Sequence, residues 1–238
     1  MSDNLQSRGS DDASFVQPLY APIKRRSFFM YAGATAGATA LVLAGCSKDS
    51  DPMVAAGSVS LGSGDAGVLN YAYALEQLEA AFYAQVVKTP AADFMPYELL
   101  YFQEVAKHEA IHRDFLKAAI NRDAPGKLLQ DLTPIFTSID FTKRKSVLDS
   151  AQAFEDLGVS AYNGAGKLLK TAAYLVLAGQ IVSVEGRHAS IIRDFVSPGS
   201  FSDTADANGL DLARTPAEVL PIAQAYVKET LDGSQVGK

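Results

Sequence analysis

Two Glu-x-x-His pairs stand out in this chain, which has only three histidines. Glu109 and His112 form the first pair, and Glu185 and His188 form the second. Side chains three residues apart on an α-helix lie on the same face, so each pair can direct a carboxylate and an imidazole to one point. A single pair of this kind is common by chance. The repetition predicts two halves of a metal site.

A glutamate and a tyrosine seven residues apart precede each pair. Glu76 and Tyr83 come before the first pair, and Glu155 and Tyr162 come before the second. Two helical hairpins related by a pseudo-twofold axis would bring six candidate ligands to the middle of a bundle: Glu76, Glu109, His112, Glu155, Glu185 and His188. Four carboxylates buried there need compensating charge, since an unpaired buried ion is costly. Two divalent cations would supply it, and oxygen and nitrogen ligands favour iron or manganese.

The elements that must position these residues are helices. Apolar residues at helical spacing, separated by proline and glycine breakers, predict four long helices near residues 65–88, 96–120, 142–166 and 172–196. A long connection separates the second helix from the third. Glycines late in the third helix should allow close approach of a neighbouring backbone. Thr215-Pro216-Ala217-Glu218 has the form of a capping box and predicts a short fifth helix, to about Leu231, on the outside of the bundle. No strand is expected after residue 46.

Residues 69–195 resemble the ferritin-like superfamily. The helix with Glu76 and Tyr83, followed by the first Glu-x-x-His pair, is similar to bacterioferritin in residue type and spacing. The segment from Phe154 to Ala165 is more similar to the exported ferritin-like branch that includes the desiccation-related proteins. The resemblance implies an all-α fold, an antiparallel four-helix bundle with a long connection between helices two and three and a short C-terminal helix.

The resemblance also implies a role for each candidate ligand around two iron or two manganese ions: Glu76 and His112 for one ion, Glu155 and His188 for the other, and Glu109 and Glu185 as bridges. Tyr83 and Tyr162 would lie just beyond the ligands, where they would hydrogen-bond carboxylates or carry an electron. Family members often have an acidic residue before the glutamate of each pair. Here those positions hold His108 and Val184, so support for the imidazoles must come from elsewhere.

One alternative uses His108. The run from His108 to His112 spells the zinc metalloprotease motif His-Glu-x-x-His. That interpretation leaves Glu76, Glu185 and His188 without a role, and it provides no strand for a peptide substrate. We expect His108 to face a neighbouring helix or solvent, and its replacement by alanine to spare metal binding.

The N-terminus has the features of an export signal. Lys24-Arg25-Arg26 resembles the twin-arginine motif, and a mildly apolar run follows that is too short for a stable membrane span. The run ends in Leu43-Ala44-Gly45-Cys46, which resembles a lipobox in which Cys46 is lipidated. Cys46 is the only cysteine, so no disulfide is expected. We expect an envelope lipoprotein, periplasmic and at the outer membrane where the organism has one.

These features divide the chain into four parts: a signal over 1–46 that is cleaved before Cys46, a flexible tether over 47–64, the bundle over 65–196 and a C-terminal extension over 197–238. The formal net charge of −6 and the lack of a basic cluster beyond the first 30 residues argue against nucleic-acid binding. Metal ions, O2 or peroxide are the expected partners, with membrane contact only through the lipid. A long tether and an anchor favour a monomer or homodimer over a storage shell.

The leading functional interpretation is ferroxidase-type oxidation of Fe(II), or another reaction with O2 or peroxide, in metal homeostasis or in oxidative or desiccation stress. Two alternatives remain open. One is peroxide disproportionation at two manganese ions, as in manganese catalases. The other is a non-enzymatic stress-protection protein with a structural metal.

Overall fold

The structure, a computed structural model, describes residues 57–238. The expected signal, Cys46 and most of the tether lie outside the described residues. Four long helices dominate: α1 (Gly64–Lys88), α2 (Pro96–Asp123), α3 (Arg144–Gly166) and α4 (Ala172–Val196). They confirm the predicted all-α bundle with its long connection between the second and third helices. Over residues 57–238, no helix has the length and apolar character needed to span a membrane.

A short helix and two short strands complete the described chain. Helix α5 (Pro216–Ala223) leads into a 3-10 turn (Gln224–Tyr226). Strand β1 (Ser58–Ser60) pairs in parallel with β2 (Thr230–Asp232).

The bundle consists of two helical hairpins, with α1 packed along α2 and α3 packed along α4. Its apolar interior forms two clusters. One surrounds Tyr71, Leu116 and Ile181, and the other surrounds Phe82 and Phe102. The candidate ligands fall between these clusters along the helices, so the bundle has a polar layer at its middle with apolar packing on both sides.

Helix α1 is buried on nearly all sides because the long connection covers its outer face. Asn70 donates to the carbonyl of Lys127 at 2.7 Å and accepts from the backbone of Leu129 at 2.9 Å. Gln77 accepts from the backbone of Leu132 at 2.8 Å. These side-chain amides form the hydrogen bonds that the backbone of the connection would otherwise form with water. The carboxylates of α1 are therefore shielded on the side away from the bundle axis.

A buried ion pair fixes the starts of α2 and α3. Glu98 is fully buried, and its Oε2 accepts from the backbone of Met95 at 2.8 Å, which caps α2. Arg144 at the start of α3 donates to both oxygens of Glu98 and to the carbonyl of Phe195 at 3.1 Å. One guanidinium thereby joins three of the four helices at one end of the bundle.

The C-terminal region differs from the prediction in two ways. The fifth helix ends at Ala223 instead of continuing to about Leu231. The amide of Gln224 explains the break, because it donates to the carbonyls of Val227 and Glu229 and accepts from the backbone of Leu231. These bonds satisfy a turn that leads the chain out of the helix. In addition, α5 does not simply lie on the outside, since its apolar face is part of the buried core.

The end of the expected tether also belongs to the folded unit. Ser58 pairs with Thr230 in the parallel strands, Leu61 is fully buried, and the backbone of Gly64 donates to the carbonyl of Lys238 at 2.9 Å. The expectation of no strand is therefore corrected. The pairing joins segments about 170 residues apart, so no local periodicity of the sequence reveals it.

Close approach at a glycine of α3 is confirmed. A β-carbon placed on Gly164 would lie 1.8 Å from the carbonyl oxygen of Arg214. The backbone of Arg214 also donates to the carbonyl of Ser160 at 2.9 Å. Any larger residue at position 164 would displace the C-terminal extension from α3.

Candidate metal centre

The structure brings the six predicted ligands together in the polar layer of the bundle. We call them the Glu/His cluster: Glu76, Glu109, His112, Glu155, Glu185 and His188. All except His112, whose side chain is 12% exposed, are buried. They form two overlapping groups, in each of which the potential ligand atoms lie within 4.8 Å of one another: Glu76, Glu109, His112 and Glu185 in one, and Glu109, Glu155, Glu185 and His188 in the other. Glu109 and Glu185 belong to both groups, as bridging ligands would.

Each histidine of the two Glu-x-x-His pairs lies closer to the glutamate of the other pair than to its own. His112 Nδ1 lies 2.7 Å from Glu185 Oε1, although its own pair partner Glu109 is 3.7 Å away. His188 Nδ1 lies 2.9 Å from Glu109 Oε1 and 3.2 Å from Glu185 Oε2. Each imidazole thus makes its closest approach to the glutamate of the other hairpin. The centre requires both hairpins, and neither one forms it alone.

Polar atoms of the cluster converge without satisfying one another. Among the described residues, six buried cluster atoms have no hydrogen-bond partner: Glu76 Oε2, both carboxylate oxygens of Glu109, His112 Nδ1, Glu155 Oε2 and Glu185 Oε1. His112 Nδ1 and Glu185 Oε1, for example, are 2.7 Å apart, yet neither has a hydrogen bond. Buried polar groups are normally paired, and leaving them unpaired is costly. Atoms aimed at a shared point instead of at each other suit cations held between them.

Protonation of the cluster reflects burial and mutual charge. Burial raises the pKa of Glu76 well above its ordinary value and that of Glu155 to about 8. Burial has the same effect on Glu109, but the imidazoles of His112 and His188 outweigh it and lower the pKa of Glu109 to about 2. The surrounding carboxylates overcome burial at both histidines and raise each pKa to about 12. Without metal, protons and imidazolium charges thus balance the carboxylates, a role that metal ions would take over.

Both predicted tyrosines donate to carboxylates of the cluster, again across the hairpins. Tyr83 on α1 donates to Glu155 Oε1 at 2.5 Å, and Tyr162 on α3 donates to Glu76 Oε1 at 2.5 Å. In each glutamate the other oxygen, Oε2, is left for the centre. The tyrosines therefore orient the two glutamates that each belong to only one group. A role in carrying an electron stays a prediction.

His108 faces the neighbouring helix α4, as expected, and there it contacts a candidate ligand. Its Nδ1 is 2.9 Å from His188 Nε2, and the two rings lie end to end, with centroids 5.2 Å apart and planes 10° from parallel. His108 belongs to neither ligand group. Since His112 Nδ1 faces the carboxylates while His108 contacts His188, the two histidines of the protease motif do not converge on one ion. The geometry thus argues against a zinc protease.

Tyr101 is a further contact that the sequence did not reveal. Its hydroxyl donates to the carbonyl of His188 at 2.8 Å. Tyrosines at helical spacing are common in cores, so nothing in the pattern of α2 distinguished this one.

Glu79, three residues after Glu76 on α1, lies outside both ligand groups. It is buried, and its pKa is raised well above the ordinary value by burial and then by Glu109 and Glu155. Its counterpart in the second hairpin is Gly158, which follows Glu155 by three residues as Glu79 follows Glu76. A β-carbon on Gly158 would lie 2.9 Å from Glu79 Oε1. The glycine thus provides the space that the buried carboxyl occupies.

Four long helices around a buried layer of carboxylates and imidazoles define a class of protein, the helical bundles with a polar layer that could hold metal. The sequence model of the ferritin-like domain family matches residues 64–198, more than half of the chain. The chain belongs to this family. No curated protein matches it in a sequence search.

Proposed function

We propose that this protein binds two iron ions in the Glu/His cluster and oxidises Fe(II) with dioxygen. The observation that carries the proposal is the set of six orphaned buried atoms in two groups that share Glu109 and Glu185. The ligand atoms around each ion, at ordinary coordination distances, lie within roughly 4.4 Å of one another. The 4.8 Å spread of each group allows this with small side-chain movements.

The side chains of the chain supply charge, orientation and exclusion of water. Four carboxylates offset the four positive charges of two Fe(II) ions, and two further units of positive charge appear on oxidation. Hydrogen bonds from Tyr83 and Tyr162 keep Glu155 and Glu76 turned toward the centre. The apolar clusters on either side of the layer keep bulk water away from it.

The expected reaction balances simply. Two bound Fe(II) ions would supply one electron each to dioxygen, which takes up two protons and leaves as hydrogen peroxide. The fixed ligands favour the more highly charged Fe(III) product, because buried carboxylates interact more strongly with a trivalent ion at low dielectric.

Metal analysis followed by stopped-flow spectroscopy tests the proposal. The purified protein should contain two iron ions per chain after anaerobic loading with Fe(II). Mixing with air-saturated buffer should then give ferric absorbance at a rate well above that of Fe(II) in buffer. Fewer than two ions per chain would exclude a dinuclear centre.

The same experiment separates the two alternatives. Two manganese ions in protein isolated from cells, together with rapid O2 release from added peroxide, would indicate a catalase-like reaction. Two bound ions without turnover of O2 or peroxide would indicate a structural metal. The physiological role that we propose for Fe(II) oxidation is metal homeostasis or protection against oxidative or desiccation stress.

Export and lipid anchoring are part of the proposal and rest on the N-terminal sequence. Twin-arginine export carries folded proteins, so the centre would receive its metal in the cytoplasm before export. Membrane fractionation of cells that express the natural chain or the Cys46→Ala variant tests the anchor. The natural chain should sediment with membranes, and the variant should not.

A further inference from the structure

We propose that His108 is a positioning residue that orients the His188 imidazole and makes the two metal positions of the centre unequal. The inference rests on the proposed metal binding. His108 lies outside both ligand groups. The two groups have the same residue types at nearly the same spacing, so the difference between them must come from residues around them.

The geometry of the imidazole pair defines the role. His188 Nδ1 faces the carboxylates, with Glu109 Oε1 at 2.9 Å, and His188 Nε2 faces away from them toward His108 Nδ1, also at 2.9 Å. A metal on Nδ1 requires that nitrogen to be deprotonated, so the remaining proton of His188 is on Nε2. That N–H then donates to His108 Nδ1, which accepts when His108 carries its own proton on Nε2.

This hydrogen bond holds Nε2 of His188, and metal would hold Nδ1. The ring would then be fixed at both nitrogens. The hydrogen bond sets the tautomer that leaves Nδ1 free for metal, and rotation of the His188 ring would break the near-coplanar, end-to-end alignment of the two rings. Contacts of this kind orient a metal-bound imidazole and raise its basicity. His108 therefore supplies the support that an acidic residue would otherwise supply.

The other half of the centre has no such support. Val184 precedes Glu185 as His108 precedes Glu109, and its side chain has no hydrogen-bonding group. The close polar contacts of His112 with residues 57–238 are made by Nδ1, and its side chain is 12% exposed. The ion beside His188 is thus held by an imidazole fixed at both ends, and the ion beside His112 by one fixed at a single end.

The test uses Co(II), whose visible absorption reports binding and which does not oxidise under anaerobic conditions. Natural protein should bind two Co(II) ions with different affinities. The contact with His188 replaces the expectation that His108→Ala spares metal binding: the variant should weaken one of the two ions by roughly 10- to 100-fold, the usual effect of losing such a contact. Val184→Ala is the matched control and should change neither ion. His108→Asn should restore most of the lost affinity, because the Asn side-chain oxygen can accept from His188 Nε2.

A second measurement examines the hydrogen bond without metal. In protein with 15N-labelled histidine, an N–H···N bond of 2.9 Å between His188 and His108 should give a through-bond nitrogen–nitrogen coupling. His108→Ala should abolish the coupling, and Val184→Ala should retain it.

The outcomes separate this inference from the proposed function. Two Co(II) ions bound alike by natural protein and His108→Ala would overturn the role of His108 while leaving the dinuclear centre intact. Equal weakening of both ions in the alanine and asparagine variants would show general damage to the bundle and would also overturn it. Failure of natural protein to bind Co(II) would overturn the proposed function and, with it, the inequality of the two positions.

Discussion

Replacing Glu109 with glutamine should remove both metal ions from the protein, because Glu109 is one of two residues common to both ligand groups. The substitution keeps the size of the side chain but removes its negative charge and leaves it with one oxygen. Both carboxylate oxygens of Glu109 are buried without a hydrogen-bond partner, so the loss affects both metal positions at once.

The magnitude follows from linkage between binding and folding. At a free metal concentration 100 times its dissociation constant, each ion stabilises the folded state by about 2.7 kcal/mol, so two independent ions contribute about 5.4 kcal/mol. For a domain of this size each kcal/mol moves the melting temperature by about 2–4 °C, which gives a total rise of about 10–20 °C. The variant should lose most of this rise.

Differential scanning calorimetry with and without Mn(II) measures the effect and avoids oxidation in air. Glu104→Gln is the matched control, since Glu104 lies on the same helix and makes only an exposed ion pair with Lys107. The control should retain the full metal-dependent rise. A Glu109→Gln variant that still melts about 10–20 °C higher with metal would refute the assignment of Glu109 as a shared ligand.

Four further results are expected. The pKa values of His112 and His188, each raised to about 12, mean that metal must displace at least these two protons at pH 7. Calorimetry in buffers of different ionisation enthalpy should therefore show proton release and weaker binding at lower pH. The raised pKa values also mean that both imidazolium groups stabilise the folded state fully below their unfolded pKa of 6.5, and that this stabilisation is lost as pH rises toward 12. Urea unfolding in EDTA should therefore show declining stability from neutral to alkaline pH. Tyr83→Phe removes the buried donor to Glu155 and should cost about 1–3 kcal/mol in urea unfolding of the metal-free protein, whereas retention of full stability would contradict that role. Arg144→Ala removes the counter-ion of the buried Glu98, which keeps its hydrogen bond from the backbone of Met95, and should cost about 1–3 kcal/mol by the same method without changing the number of bound metal ions.

Local sequence patterns were sufficient to identify the candidate ligands. Helical periodicity is set by a few consecutive residues, so the spacing within Glu109-x-x-His112 and from Glu76 to Tyr83 already places these side chains on defined faces. The bounds of α4 were predicted as residues 172–196 and are found there. Repetition of the pattern then indicated two hairpins that meet at one centre.

The partners within the centre could not be predicted in this way. Which glutamate each imidazole approaches depends on how the two hairpins pack, and the structure pairs His112 with Glu185 across the bundle. The same packing brings Tyr83 to Glu155 and places Gly158 against Glu79. Each of these contacts joins residues more than 70 positions apart along the chain.

Sequence alone thus determined the helices of this protein and the set of residues that could bind metal, because both follow from short-range spacing and residue type. Tertiary structure decided the asymmetry of the centre and the closure of the chain ends. His108 meets His188 only because α2 and α4 pass side by side, and Ser58 meets Thr230 only because both ends of the domain reach the same place. Contacts of this kind depend on the packing of whole helices, and no local pattern encodes them.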